Sequence, residues 1–182
     1  MNSIPAQKVP LLEGFREVFT PRLTMTPTTL DDAEFMLALL NSKGWLQFIG
    51  DRNVHTVEEA RTYLSTRVLG TANNPNCGMY SIHLRETGEI IGTNSLVQRD
   101  FLDTVDIGYA FLDEHGGKGY ATEATKAFLK YVHETLGYNH IVAFALTNHR
   151  ASIRVLEKLD FTEKERLIDK DEECVLMEWS VN

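Results

Sequence analysis

The spacing of apolar residues predicts short strands and helices in the first half of the chain. Apolar and polar residues alternate over 22–26, which predicts a strand, and apolar side chains then recur at helical spacing up to Leu40. Thr56, followed by Glu59, has the pattern of a capping box, which predicts the start of a second helix. Residues 45–55 follow neither period, and we predict a loop there.

The second half of the chain predicts most of the sheet. Three consecutive strands are predicted over 79–84, 90–98 and 105–112, and a long helix follows over 120–136. The remaining predicted elements are a buried strand, a short helix and two final strands, at 141–146, 150–159, 162–168 and 174–181. The order β-α-α-β-β-β-α-β-α-β-β predicts an α+β fold, with a mixed, mostly antiparallel sheet of six or seven strands and about four flanking helices.

The length of the chain limits the number of domains. With 182 residues, one domain is expected. Pro5, Pro10 and Gly14 interrupt any period near the start of the chain. We therefore predict an N-terminal arm over 1–19 and a single domain over 20–182.

Charge and cysteine content exclude several classes of protein. Lys and Arg number 18 against 26 Asp and Glu, and the net charge of −8 argues against a nucleic acid partner, because phosphate binding needs a positive patch. The same charge is compatible with amine ligands. The two cysteines, Cys77 and Cys174, are far apart and are interpreted as free thiols rather than a disulfide. The apolar runs are far shorter than the roughly 20 residues that span a bilayer, so no membrane span is expected. We expect a cytoplasmic protein, monomeric or homodimeric, with no membrane partner.

A glycine-rich segment lies between a predicted strand and the long predicted helix. Gly116, Gly117 and Gly119 allow the backbone to approach a ligand, and Lys118 adds a positive charge. The main-chain N–H groups at a helix start favour phosphate, so this junction is a candidate anion site. The alternative is a tight turn that binds no ligand.

Two common phosphate motifs do not fit this segment. A Walker A loop requires Ser or Thr after the lysine, but Gly119 follows Lys118. A dinucleotide fingerprint requires Gly or Ala at Thr122, and also a carboxylate in the next strand, which has none. No metal site is expected either, because His133-Glu134 is followed by Gly137 where a zinc motif needs a second histidine.

Two runs of sequence together carry a family resemblance. The run DIGYAFLDEHGGKGYATEA, followed later by TNHRASIRVLEKLDF, resembles the GNAT superfamily of N-acetyltransferases. Within it, the chain resembles the branch of bacterial ribosomal-protein N-terminal acetyltransferases. The likeness covers residues 20–181, and the predicted order of elements agrees with the GNAT fold.

The resemblance implies where acetyl-CoA binds. The main-chain amides of the glycine loop would hold the pyrophosphate, at Gly116, Gly117, Lys118, Gly119, Tyr120, Ala121 and Thr122. The strand end before it, Ala110, Phe111 and Leu112, would pair with the pantetheine arm where two strands splay apart, and Asn148 would hydrogen-bond that arm. The family has Gln or Arg at the position of Gly116, so we expect weakened binding there rather than its loss.

The resemblance also indicates an acid and a base. Many relatives carry a tyrosine acid where this chain has Leu156, so Ser152 is the candidate that holds or protonates the leaving thiolate; the alternative is a serine that only caps its helix. Asp106 lies where relatives often carry a carboxylate and is the candidate base, directly or through a water molecule. The alternative for Asp106 is a solvent-facing position on its strand. Tyr109 is expected to pack.

The implied reaction is direct acetyl transfer from acetyl-CoA to a primary amine in a ternary complex. An α-amine with a pKa of about 7.8 is easier to deprotonate than a lysine at about 10.4, which favours an N-terminal α-amine or a small amine. The resemblance implies that Trp45, Phe48, Asp51 and Arg52 shape the acceptor pocket. The acidic turn at 169–173 is interpreted as a solvated hairpin tip, or alternatively as a collector of cationic substrates. A CoA-binding module without transferase activity is the alternative function.

Overall fold

The fold is built on one eight-stranded sheet in a computed structural model that describes residues 16–69, 76–169 and 171–181. The strands are β1 Val18–Phe19, β2 Leu23–Pro27, β3 Gly78–Leu84, β4 Ile90–Gln98, β5 Val105–Phe111, β6 His140–Leu146, β7 Thr162–Asp169 and β8 Glu172–Ser180. Their spatial order is β1-β2-β3-β4-β5-β6-β8-β7, and every neighbouring pair is antiparallel except β5 and β6. The predicted α+β class and mostly antiparallel sheet are confirmed.

The sheet has one strand more than the six or seven predicted. The extra strand β1 lies within residues assigned to the N-terminal arm and pairs with β2 through Val18 and Phe19. Two residues are too few to show a period of two, so the sequence pattern gave no signal for this strand. Residues 1–15 of the arm lie outside the described residues.

Five α-helices flank the sheet in the described residues. They are α1 Ala33–Leu40, α2 Lys43–Phe48, α3 Val57–Tyr63, α4 Tyr120–Glu134 and α5 Arg150–Glu157. Short 3-10 segments at Leu30–Asp32 and Asp113–His115 and a π-helical segment at Leu64–Val68 complete the helical structure. None of the helices described is long and apolar enough to cross a membrane.

The predicted loop over 45–55 is wrong in its first part, because α2 occupies it. The Ser42 side chain caps this helix by accepting a hydrogen bond from the main-chain N–H of Trp45. The Asp113 carboxylate also accepts hydrogen bonds from the N–H groups of Lys43 and Gly44, at 2.9 and 3.1 Å. With only six residues, α2 is too short to show helical periodicity.

The local signals for helix ends are confirmed where they can be compared. Thr56 and Glu59 form the predicted capping box at the start of α3. Asp160, which follows α5, has a left-handed φ of +65°, a conformation that Asp adopts more readily than most residues. The capping box rests on residues close in sequence, which is why it could be predicted before the fold was known.

The helices divide between the two faces of the sheet. On one face, α4 and α5 cover a core that includes Ile107, Phe128 and Val175. On the other face, α1, α2 and α3 form a second core around Met36 and Leu39. Because side chains alternate along a strand, successive residues of β5 belong to opposite faces.

Strands β5 and β6 diverge directly after they meet. They run parallel, and their register contains a single pair, Asp106 with Val142, whereas β4 and β5 are paired along seven residues. The main-chain groups of β5 beyond Asp106 that face β6 therefore do not pair with that strand. We call the opening between the two strands the wedge, and its exposed main-chain groups favour hydrogen bonds to an extended ligand.

Candidate active site

The wedge contains a cavity of about 320 Å³. Asp106 and Ala110 of β5 line it, together with Phe144 of β6 and Ser152 and Leu156 of α5. Because Asp106 and Ser152 come from opposite faces of the sheet, the cavity connects the side covered by α1–α3 with the side covered by α5. A ligand in the wedge can therefore be approached from both faces.

The glycine loop lies at the start of α4, beside the end of β5. Gly117 and Gly119 have left-handed φ values of +73° and +81°, and Gly119 is the N-cap of the helix, which is 15 residues long. The Gly116 N–H donates to the Asp113 carbonyl oxygen at 3.0 Å, so the prediction that this amide holds the pyrophosphate is wrong. In the described part of the chain, the main-chain N–H groups of 117–122 have no hydrogen-bond acceptor. These donors lie at the positive end of the helix dipole and suit an anion such as a diphosphate.

Arg22, between β1 and β2, supports this loop from the neighbouring edge of the sheet. Its Nε donates to Glu123 Oε2 at 2.6 Å, its Nη1 donates to the carbonyl oxygen of Lys118 at 3.0 Å, and its guanidinium lies 4.4 Å from the centre of the Tyr120 ring. Burial alone would raise the pKa of Glu123, but hydrogen bonds from Thr20 and Arg22 hold it below its usual value. Arg22 therefore fixes the orientation of the peptide group between Lys118 and Gly119, whose carbonyl oxygen faces the guanidinium.

We expect Arg22→Gln to weaken CoA binding about 5- to 10-fold, because two hydrogen bonds to the loop and to Glu123 are lost at a partly exposed position. Calorimetric titration with CoA measures this effect. Lys126→Gln is the matched control, since it removes one positive charge from the exposed side of α4, the helix that the loop precedes. Equal affinity in the two variants would contradict a role for Arg22 in holding the loop.

Asp106 lies at the point where the wedge begins. It is only 4% exposed, so the alternative of a solvent-facing strand residue is wrong. Its Oδ2 accepts hydrogen bonds from Arg99, whose Nε and Nη2 both lie 2.7 Å away. Burial raises the pKa of Asp106 to about 6 although the charge of Arg99 acts in the opposite direction.

Tyr109 and Ser152 meet on the other face of the sheet. The Tyr109 hydroxyl lies 2.8 Å from Ser152 Oγ and 2.9 Å from the Ser152 carbonyl oxygen, and both residues line the cavity. Burial raises the pKa of Tyr109 to about 12, while the hydrogen bond to Ser152 lowers it. The prediction that Tyr109 packs is confirmed, since its ring contacts the core. Its hydroxyl also enters the site, which the sequence did not indicate.

The remaining predicted cofactor residues lie around the wedge in different ways. Ala110 lines the cavity, Phe111 packs against the core of the α4 face, and the Leu112 N–H donates to the Ile91 carbonyl. Asn148 is exposed at the start of α5 and does not line this cavity. It lines a separate cavity of about 550 Å³ between α5 and strands β7 and β8.

Helix α2 and the β7–β8 hairpin form the entrance on the α1–α3 side. Trp45, Phe48 and Arg52 line the cavity there, as do Asp169 and Glu172 of the hairpin. The Phe48 ring stacks on His149 at 3.7 Å, which joins α2 to the segment after β6. The predicted hairpin tip is thus both exposed and in contact with the cavity.

Comparison with known proteins identifies the family. Residues 22–162 match the family model described as an acetyltransferase (GNAT) domain. The chain is 30% identical to the uncharacterized N-acetyltransferase YoaA of Bacillus subtilis over 146 residues, which are 78% of this chain and 80% of that protein.

Solved structures show the same fold. A ribosomal-protein-S5-alanine acetyltransferase from Vibrio fischeri superposes with a TM-score of 0.73 at 17% identity, covering 91% of this chain and 96% of that one. The aminoglycoside acetyltransferase AAC(6')-Ib in complex with coenzyme A gives 0.72 at 19% identity, covering 87% and 94%.

The fold, the donor-rich loop and the wedge define an acyltransferase, and the chain belongs to the GNAT family of acetyltransferases. It is an acetyl-CoA-dependent N-acetyltransferase. The resemblance found in the two sequence runs is therefore confirmed at the level of the family.

Proposed function

We propose that this enzyme transfers acetyl groups directly to an N-terminal α-amine or a small primary amine, in a complex that holds acetyl-CoA and the amine together. The observation that carries this proposal is the position of Asp106 and Ser152 on opposite faces of one wedge. A carboxylate on one side and a hydroxyl donor on the other suit a reaction in which the amine enters from one face and the thiol leaves toward the other.

The glycine loop and the wedge together fit an elongated ligand with a diphosphate. The main-chain donors of 117–122 suit the diphosphate, and the main-chain groups of β5 that face the wedge suit an amide-bearing arm. Acetyl-CoA, when bound, supplies the activated acetyl thioester. Main-chain N–H groups of β5 near Phe111 are the candidate donors that polarise its carbonyl oxygen.

Asp106 is the proposed base. A carboxylate with a pKa of about 6 is ionised at neutral pH and is a stronger base than an ordinary aspartate. It takes a proton from the ammonium form of the acceptor, directly or through a water molecule, and the neutral amine then attacks the acetyl carbon. The new N–C bond forms as the C–S bond breaks, and the electron pair of that bond leaves with the sulfur. The nitrogen loses its second proton to solvent as the amide forms.

The charges at the entrance support an amine acceptor. Asp169 and Glu172 of the β7–β8 hairpin line it together with one cation, Arg52, and the charge of Arg99 is paired with that of Asp106. The net charge of −8 favours approach of a cation from solution. The two structural neighbours named above are described as acting on a ribosomal protein and on an aminoglycoside, so the shared fold does not choose between acceptor types.

The alternative function is a CoA-binding module with little or no transfer activity. It is favoured by Gly116 and Leu156, which depart from the loop and acid positions that the family resemblance implies. A thiol-release assay with acetyl-CoA and a panel of peptides, amino acids, polyamines and aminoglycosides separates the two functions. We expect turnover that depends on the amine; CoA binding without such turnover for any amine would favour the module.

A further inference from the structure

The tyrosine acid of many relatives is absent at Leu156, yet a phenol does reach the wedge from another element. Tyr109 belongs to β5, and Ser152 lies in the first turn of α5. Their hydroxyl oxygens are 2.8 Å apart, and both side chains line the same cavity as Leu156. The contact joins residues 43 positions apart in the sequence.

We infer that Tyr109 acts through Ser152: its hydroxyl holds the serine hydroxyl as a hydrogen-bond donor toward the sulfur that leaves during acetyl transfer. Ser152 is then the group that contacts the sulfur, and Tyr109 is a positioning residue. This inference rests on the proposed function, since it requires the thioester to lie in the wedge.

The geometry allows two arrangements of the hydroxyl hydrogens. The single phenolic hydrogen of Tyr109 can point to the Ser152 carbonyl oxygen at 2.9 Å or to Ser152 Oγ at 2.8 Å. In the first arrangement, Ser152 donates its own hydrogen to the phenol. In the second, Tyr109 donates to Ser152 Oγ, which frees the serine hydrogen for the sulfur and makes it a stronger donor because linked hydrogen bonds polarise one another.

The pair stabilises the sulfur without losing a proton. Burial keeps the pKa of Tyr109 at about 12, well above that of a cysteine thiol at about 8.5, so the phenol stays neutral beside a thiolate. The C–S bond breaks, its electron pair remains on the sulfur, and the sulfur accepts the hydrogen bond from Ser152. The nitrogen of the ammonium loses two protons: the first passes through Asp106 to solvent, and the second leaves to solvent as the amide forms. The thiolate takes up one proton from solvent, so the reaction balances with the release of one proton overall.

The test is a pH titration of bound CoA, followed by the ultraviolet absorbance of its thiolate, in the wild type, Tyr109→Phe, Ser152→Ala and the double variant. We expect the pKa of the bound thiol to lie below that of free CoA, titrated in parallel, in the wild type and to rise in each variant. In steady-state assays, kcat should fall about 10- to 100-fold in each single variant, while KM for acetyl-CoA changes by less than about threefold. The double variant should be no worse than Ser152→Ala, because the two residues act in series.

Tyr80→Phe is the matched control. It also removes a phenol that donates to a main-chain carbonyl, that of Arg16 at 3.1 Å, but Tyr80 is fully buried in the core and does not line the cavity. It should leave kcat and the thiol pKa unchanged.

The outcomes distinguish this inference from the proposed function. If Tyr109→Phe keeps the wild-type kcat and thiol pKa, or if the effects of the two single variants multiply in the double variant, Tyr109 has no role through Ser152. If the wild type itself neither binds CoA nor acetylates any amine, the proposed function fails, and the inference, which rests on it, fails with it.

Discussion

Asp106→Asn is expected to lower kcat/KM for the amine about 100- to 1,000-fold, the usual effect of removing a positioned general base. The asparagine fills the same space at a position that is 4% exposed, and it can still accept a hydrogen bond from Arg99. It cannot take a proton from the acceptor. Initial-rate measurements with a turned-over amine and saturating acetyl-CoA give the effect directly.

The same variant should change the pH dependence. In the wild type, kcat/KM should fall as the pH drops through about 6, because protonated Asp106 is no longer a base. Asp106→Asn should lose this acidic limb. A pH profile between about 5 and 8 compares the two enzymes.

As the pH falls through the pKa of Asp106, the stability of the protein should rise while its activity falls. The folded pKa of about 6 lies above the ordinary value of 3.8, so the native state binds a proton that the unfolded chain releases between these values. The contribution of Asp106 to the free energy of unfolding therefore rises as the pH falls from about 6 to about 4. This contribution is lowest when Asp106 is ionised. The pKa difference of about two units corresponds to about 3 kcal/mol, at about 1.4 kcal/mol per unit, by which the ionised carboxylate lowers the free energy of unfolding at neutral pH. Asp106→Asn removes this charge and should therefore be at least as stable as the wild type.

Asp103→Asn is the control for this experiment, because it removes the same charge from an exposed position in the loop between β4 and β5. It should behave as the wild type in both assays. Activity of Asp106→Asn within about threefold of the wild type, or an unchanged acidic limb, would exclude Asp106 as the base.

Gly119→Val should weaken CoA binding by at least about 100-fold. Gly119 has a φ of +81°, a conformation that strains every L residue and β-branched residues most. A Cβ at this position would lie 3.4 Å from Arg22 Nη2, and its branches would add bulk beside the guanidinium that holds the loop. The main-chain donors of 117–122 would then lose the arrangement that suits a diphosphate.

Gly137→Val separates this effect from general backbone strain. Gly137 has nearly the same φ, +80°, has open space where a Cβ would lie, and follows the opposite end of α4. Both variants should lose comparable stability in thermal unfolding, but only Gly119→Val should lose CoA affinity in calorimetry. Wild-type affinity in Gly119→Val, with the protein folded, would show that the loop does not hold the cofactor.

The sequence predicted helices and strands correctly where their signals lie in neighbouring residues. The capping box of Thr56 and Glu59 is complete within four positions, and the alternation in β3, β4 and β5 runs over seven to nine residues. Helix α2 and strand β1 escaped prediction because six and two residues do not complete a recognisable period. Helix α2 also depends on Asp113, which lies about 70 residues further along the chain.

The same difference between neighbouring residues and contacts far apart in the sequence applies to the active site. The glycine loop could be recognised because all of its donors are contiguous in the sequence. The contact of Arg22 with Glu123 joins residues 101 positions apart, and it follows from the pairing of strands rather than from any periodicity. The burial of Asp106 likewise depends on where β6 leaves β5, which no pattern within β5 reveals.

The structure of the enzyme crystallised with CoA tests the central claim most directly. We expect the diphosphate within hydrogen-bond distance of main-chain N–H groups between Gly117 and Thr122, with the pantetheine arm between β5 and β6 and its sulfur facing Ser152. A diphosphate bound elsewhere, or an arm that lies outside the wedge, would contradict the proposed roles of both the loop and the wedge.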